Sequence, residues 1–140
     1  MPELVYAIVT DAPVHIAELS ALVSNPQSGA IVTFCGDVRN HDGGKEVASL
    51  LYEIHPSAPE QIKEITQSVI GHYEIEKVAV AHRYGDIAIG ETAFAVAVSA
   101  AHRQAAFDAC SAIVDEVKAK LPIWKHQKFT DGSDEWVNCA

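Results

Sequence analysis

Two stretches of this chain gather cations in an otherwise acidic protein. The segment KAKLPIWKHQKF, residues 118–129, carries Lys118, Lys120, Lys125 and Lys128, four of the ten Lys and Arg residues of a chain with formal net charge −9. Lys118 and Lys120 fall in the last turn of an expected helix, where the dipole and the free carbonyls stabilise a cation. For Lys120 that explanation suffices. Lys125 follows Trp124 on an expected strand, where a lysine beside apolar surface can be partly desolvated and serve as an acid, base or nucleophile; a solvated face is the equally weighted alternative. The second stretch, SAAHRQAAF, puts His102 and Arg103 into the first turn of the same helix. Cations are unfavourable there unless an anion joins the free N–H groups, and phosphate is the natural candidate. Pairing of Arg103 with Asp108 is the plainer alternative. Arg39 stands where a strand end meets a polar, glycine-containing loop, VRNHDGG, a common place for binding residues.

Helix geometry limits how these groups combine. Arg103 and Lys118 are fifteen residues apart, or about 22 Å along a helix axis at 1.5 Å per residue. One small ligand cannot touch both within one chain, so there are two sites, or a symmetric dimer brings one chain's His102 and Arg103 to the other's lysines. Other residues offer less. Cys110 falls on an apolar helix face, where free cysteine is usually inert, and Cys35 has no base beside it in sequence. The histidines show no HExxH or i, i+4 pairing, which speaks against a catalytic metal. Gly43-Gly44 lacks a phosphate-loop pattern and reads as loop flexibility.

The elements that must position these residues follow from the pattern. Leu4–Thr10 reads as a strand, followed by a helix in DAPVHIAELSALV with Asp11 as its cap and Pro13 near its first turn. Ser24–Gly29 is a turn-rich loop, AIVTFCGDV a half-buried strand, and RNHDGGKE a mobile loop. ASLLYEIH is a third strand, and Ala58 to about Tyr73 has helical spacing at Ile62, Ile65, Val69 and Ile70 behind Pro59. KVAVAHRYG and Thr92–Ser99 are further strands. The long helix after them places Phe107, Cys110, Val114 and Val117 on one face and stops at Leu121-Pro122. IWKHQKF and EWV flank a DG turn as a C-terminal hairpin. The sum is an α+β fold with mainly antiparallel strands and three helices.

Composition narrows the class further. The 140 residues fit a single domain, 1–140, and 49% hydrophobic with 21% charged residues describes an ordinary globule. Acidic balance disfavours nucleic acid as a partner, and the sequence has no apolar run of membrane-spanning length. The N-terminus lacks the pattern of a signal peptide, so the cytoplasm is the expected location. Cys35, Cys110 and Cys139 make an odd count without CxxC spacing, against a disulfide framework or structural zinc.

Four blocks in order and register, GAIVTFCGDVRNHDGG, AVAHRYGDIAIGE, VAVSAAHRQAAFDA and KAKLPIWKHQ, closely resemble the large, catalytic subunit of molybdopterin synthase. The resemblance covers nearly the whole chain from Gly29. It implies an α/β hammerhead-type fold and a homodimer within a heterotetramer, with a small ubiquitin-like sulfur-carrier subunit at each end. It also implies sulfur transfer from the carrier's C-terminal thiocarboxylate to cyclic pyranopterin monophosphate, forming the dithiolene of molybdopterin without a cofactor. Carried over residue by residue, Lys118 matches the essential lysine beside the carrier's terminus and Lys125 the second active-site lysine. Arg39, His102 and Arg103 match the residues that hold the pterin phosphate, the last two across the dimer. Asp37, Val38, His126 and Gln127 flank these positions as expected pocket lining. Where the family pattern reads KRE after the tryptophan, this chain has Lys125-His126-Gln127. Beyond Trp136 it has no counterpart to the family's Arg-containing extension, so the carrier groove is expected to be shorter or completed differently. Two other classes stay open on the residues alone: a lysine Schiff-base enzyme using Lys118 or Lys125, and a non-catalytic anion-binding module needing neither.

Overall fold

A computed structural model describes residues 1–138; Cys139 lies outside them. Nine strands and three helices run in the order β1 (Glu3–Thr10), α1 (Ile16–Val23), β2 (Ala30–Asp37), β3 (His41–Asp42), β4 (Lys45–Ile54), α2 (Ala58–Ile70), β5 (Lys77–Arg83), β6 (Gly85–Ile87), β7 (Thr92–Ala100), α3 (Arg103–Lys120), β8 (Ile123–Phe129) and β9 (Asp134–Val137). One sheet has the order β1-β5-β7-β2, and a second runs β3-β4-β8-β9 with β6 also on β4. Only β1 and β5 pair in parallel; every other ladder among the described residues is antiparallel.

The central strands of the first sheet explain its layering. In β5 and β7 valine and alanine alternate, and they pair like with like, Val78 with Val98, Ala79 with Ala97, Val80 with Val96 and Ala81 with Ala95. Successive side chains of a strand point to opposite faces. The valines enter the main core under α2 and α3, and the alanines form a thinner layer under α1. Short side chains on the second face let the eight-residue α1 lie close, with Leu19 and Val23 filling the gap.

Three expectations need correction. Asp11 caps nothing: α1 begins at Ile16 with His15 at the N-cap, and Pro13 lies outside the helix, in irregular chain before it. Val14 is buried in the α1 layer, which ties that segment to the sheet instead of letting it wind. The buried face of α3 is Ala106, Ala109, Cys110, Ile113 and Val117, while Phe107 is 53% exposed. Alanines allow the helix to sit close on the sheet, and the bulkier Phe107 is turned outward. RNHDGGKE is an ordered hairpin, in which His41 pairs with Glu46 and Asp42 with Lys45. Gly43 and Gly44 adopt φ of 57° and 80°, the left-handed pair that a two-residue hairpin turn requires.

Candidate active site

Arg39 and the lysine-bearing segment meet where the two sheets adjoin. A cavity of about 250 Å3 is lined by Asp37, Val38 and Arg39 from the end of β2, Lys118 from the last turn of α3, and Lys125 and Gln127 from β8. Tyr52 of β4 and Phe94 of β7 also line it. Their contribution depends on long-range pairing: Tyr52 stands opposite Lys125 in the β4–β8 ladder, and Phe94 opposite Gly36 across β7 and β2. Nothing in local spacing announces either residue.

Strand periodicity sorts the flanking residues of β8. Lys125 and Gln127, two apart, share the cavity face. His126 points to the other side, stacked on Trp136 at 4.2 Å between centroids and 2.8 Å from an Asp134 carboxylate oxygen. It is therefore absent from the cavity wall. Gln127 is buried and donates to Asp42 Oδ2 at 2.6 Å, while Arg39 approaches Asp42 Oδ1 at 3.4 Å. The Gln127 hydrogen bond, followed by the charges of Lys125 and Arg39, holds the Asp42 carboxyl below its ordinary range. Asp37 accepts from the Thr92 hydroxyl at 2.7 Å, which ties the end of β2 to the start of β7.

Beneath the cavity lies His82, wholly buried. Its ring stacks on Phe94 at 5.3 Å and meets Tyr52 edge to face at 5.0 Å. Nδ1 lies 2.8 Å from the Arg83 carbonyl, an oxygen that only accepts, so Nδ1 carries the proton and Nε2 the lone pair. Nε2 is buried without a hydrogen-bond partner. Burial above all, with a further contribution from the Lys118 charge, depresses the imidazole to about 4. His82 is thus a neutral ring under a cationic cleft.

His102 and Arg103 lie elsewhere in the chain. With Gly29, Ala30, Ala101 and Gln104 they line a second recess, of about 390 Å3. His102 is the N-cap of α3 with no side-chain cap bond, so the helix's first N–H groups have no such partner. The alternative partner of Arg103 is engaged otherwise: Asp108 accepts from Gln104 at 2.9 Å. A single chain therefore holds two separate cationic clusters, at opposite ends of α3.

Cys35 and Cys110, the two cysteines among the described residues, do not compete for the chemistry. Burial, and then the charge of Asp37, push the Cys35 thiol up, away from the thiolate a nucleophile needs. Burial raises Cys110 to about 11. Among the described residues no group of three His, Cys, Asp or Glu side chains could hold a metal ion, and no helix is long and apolar enough to cross a membrane.

The chain is 41% identical over 136 residues to molybdopterin synthase catalytic subunit 1 of Mycobacterium tuberculosis, covering 94% of this chain and 90% of that one. Its fold superposes on the crystal structure of molybdopterin synthase from Staphylococcus aureus with a TM-score of 0.86 at 26% identity, over 94% of this chain and 96% of that one. A complex of subunits 1 and 2 of molybdopterin-converting factor from Helicobacter pylori shares the fold, with a TM-score of 0.67 at 18% identity over 98% of this chain and 88% of that one. The model of the MoaE protein family matches residues 9–120, and the chain belongs to that family, whose relatives are molybdopterin synthase catalytic subunits.

Proposed function

We propose that the cleft between Arg39, Lys118 and Lys125 is where this chain, as the catalytic subunit of a molybdopterin synthase, transfers sulfur to cyclic pyranopterin monophosphate. The donor is the C-terminal thiocarboxylate of a small ubiquitin-like carrier subunit. The observation that carries the reading is the convergence of Lys118 and Lys125, from a helix end and a strand, on one cavity that also holds Arg39. Thiocarboxylate, phosphate and the carboxylate left after transfer are all anions. Fixed cations in a partly enclosed cleft stabilise such charges as they appear and move.

In this reading Lys118 orients the thiocarboxylate and shuttles protons while sulfur attacks the pterin, and Lys125 stabilises charge developing on the pterin side. Asp37, Val38 and Gln127 shape the wall around them. Arg39 holds the substrate phosphate together with His102 and Arg103, which come from the second chain of a homodimer inside a heterotetramer. The separation of the two cationic clusters within one chain favours that assembly over a site within one chain. The setting is the cytoplasm.

The test is incubation of the chain with thiocarboxylated carrier and the cyclic pterin, followed by mass analysis. A product that has gained two sulfurs is expected. Near-normal turnover by Lys118→Ala defeats the role of Lys118, and borohydride trapping of a carbonyl ligand on either lysine favours Schiff-base chemistry instead.

A further inference from the structure

Asp42 stands behind the cavity wall and touches two residues that form it. Its Oδ2 accepts from Gln127 Nε2 at 2.6 Å and its Oδ1 from Arg39 Nη2 at 3.4 Å. Arg39 and Gln127 both line the cleft with Lys118 and Lys125. One carboxylate therefore links the chain just past β2 to strand β8.

The arm that carries this carboxylate is braced. Asp42 and Lys45 face each other at the tip of the β3–β4 hairpin, and at its base the Val47 N–H donates to the Asn40 carbonyl at 2.8 Å. The Lys45 ammonium ties the tip to the β8–β9 turn: it donates to Ser133 Oγ at 3.1 Å and lies 3.5 Å from Asp131 Oδ2. It also sits 5.2 Å from the centre of the Phe129 ring. Gln127, on the other side of Asp42, is buried. Arg39 lacks such support. Its side chain is 65% exposed, and among the described residues its one hydrogen-bonding and ion-pairing partner is Asp42.

An exposed ion pair of this kind adds little to stability. Its effect is on orientation. A single Nη2 contact leaves most of the five guanidinium N–H donors open. An arginine that grips a phosphate gives up rotamer freedom, and one already held gives up less. We propose that Asp42 is a positioning residue, which holds Arg39 from the braced hairpin and so presents the guanidinium to the substrate phosphate. The inference rests on the phosphate-holding role given to Arg39 above, and it assigns to Asp42 an effect on binding and none on sulfur transfer. The opposing effect, repulsion between the carboxylate and the phosphate, is blunted by the neighbouring Arg39 and Lys125 charges and by solvent screening.

Asp42→Asn tests this by separating charge from hydrogen bonding. The Gln127 amide can turn over and accept from the substituted amide, so the hairpin keeps its tie to β8 while Arg39 loses its carboxylate. With thiocarboxylated carrier, KM for the cyclic pterin is expected to rise about three- to tenfold, with kcat within twofold of the unmodified enzyme and unchanged circular dichroism. The same substitution made in an Arg39→Ala background should leave KM where Arg39→Ala alone puts it, because the residue through which Asp42 acts is gone. An unchanged or lowered KM in Asp42→Asn, or an equal rise in both backgrounds, overturns the proposal. Nitrogen-15 relaxation of the Arg39 Nε–H group gives a reading that needs no turnover: the group is expected to be more mobile in Asp42→Asn than in the unmodified chain, and equal order in the two overturns the proposal. If the unmodified chain makes no product, the functional reading fails while the relaxation measurement still decides whether Asp42 holds Arg39.

Discussion

The Gln127 side chain of β8 donates to the Asp42 carboxylate of the β3–β4 hairpin at 2.6 Å, with Arg39 at 3.4 Å from the other carboxylate oxygen. This contact joins two segments eighty-five residues apart and sets a carboxylate against Gln127 and Arg39, two residues of the cleft wall that also holds Asp37, Lys118 and Lys125. Gln127 can donate to a carboxylate, whereas a glutamate at this position would repel it. The His126-Gln127 departure from the family pattern therefore has a local counterpart in Asp42.

Removing that donor loosens the hairpin and frees the carboxyl. Gln127→Ala is expected to cost about 1.5–3 kcal/mol in denaturant unfolding, the range for a hydrogen bond to a charged group. The Asp42 carboxyl should also titrate at higher pH than in the unmodified protein, because the largest influence holding it down is gone. Carbon-detected NMR titration of the Asp side chains reads this directly, and an unmoved Asp42 resonance would refute the linkage.

The two lysines should separate in their kinetics. Lys118→Ala and Lys125→Ala each remove a fixed charge from the cleft, and losses of about 100-fold or more in kcat are expected, as for other electrostatic stabilisers. Both side chains reach the cavity rather than the core, so melting temperatures should stay within a few degrees of the parent. Lys120→Ala, whose ammonium pairs with Glu116 at the end of α3, should leave turnover unchanged. Comparable losses in all three would mean that general positive charge, not placement, drives the reaction.

His82 makes stability depend on pH in a predictable direction. The folded imidazole titrates at about 4 and the ordinary value is 6.5, so between these values the unfolded chain binds a proton that the fold excludes. Stability conferred by the neutral ring is complete above pH 6.5 and declines as pH falls toward 4. The total loss is on the order of 3 kcal/mol at 1.36 kcal/mol per pKa unit. Urea unfolding at stepped pH measures it. His82→Leu, which removes the unpartnered Nε2 at similar volume, should flatten that slope; an equal slope in the variant would place the titration elsewhere.

Much of this architecture was legible because local pattern and tertiary structure agree. The VAVA and AVAV runs announced central strands, Pro59 and the isoleucine spacing announced α2, and the DG turn announced the final hairpin. The cation clusters stood out because they oppose the net charge of the chain. What stayed hidden depends on neighbours distant in sequence. Tyr52 and Phe94 reach the cleft only through cross-strand pairing, and His82 gave no sign of lying beneath it. His126 was misplaced by adjacency to Lys125, although strand periodicity separates them. The DGG hairpin carries its own turn signal in two consecutive glycines, whose left-handed backbone makes an ordered turn and not merely a flexible loop. Phe107 is the most hydrophobic residue near the start of α3, yet it is Ala106 and Ala109 that face the sheet, because alanine lets the helix pack closer.

Gly29 gives the last prediction, because it fixes the position of the second cluster. A Cβ built on Gly29 would lie 2.9 Å from the Ala101 carbonyl oxygen, a backbone atom that cannot rotate away. Ala101 leads directly into His102 and Arg103, and all four residues line one recess. Gly29→Ala therefore has to push the start of α3 outward, at a cost of about 1–3 kcal/mol for overpacking. The lysine cleft, at the far end of the helix, should keep its shape. The expected kinetic signature is a KM for the cyclic pterin raised severalfold with kcat reduced much less, since phosphate binding suffers and sulfur transfer does not. Gly71→Ala, where nothing lies within 4 Å of the added carbon, controls for the loss of a glycine. A Gly29→Ala enzyme with unchanged KM and an unchanged melting temperature would show that the recess tolerates the shift, and that His102 and Arg103 hold no substrate group whose position matters.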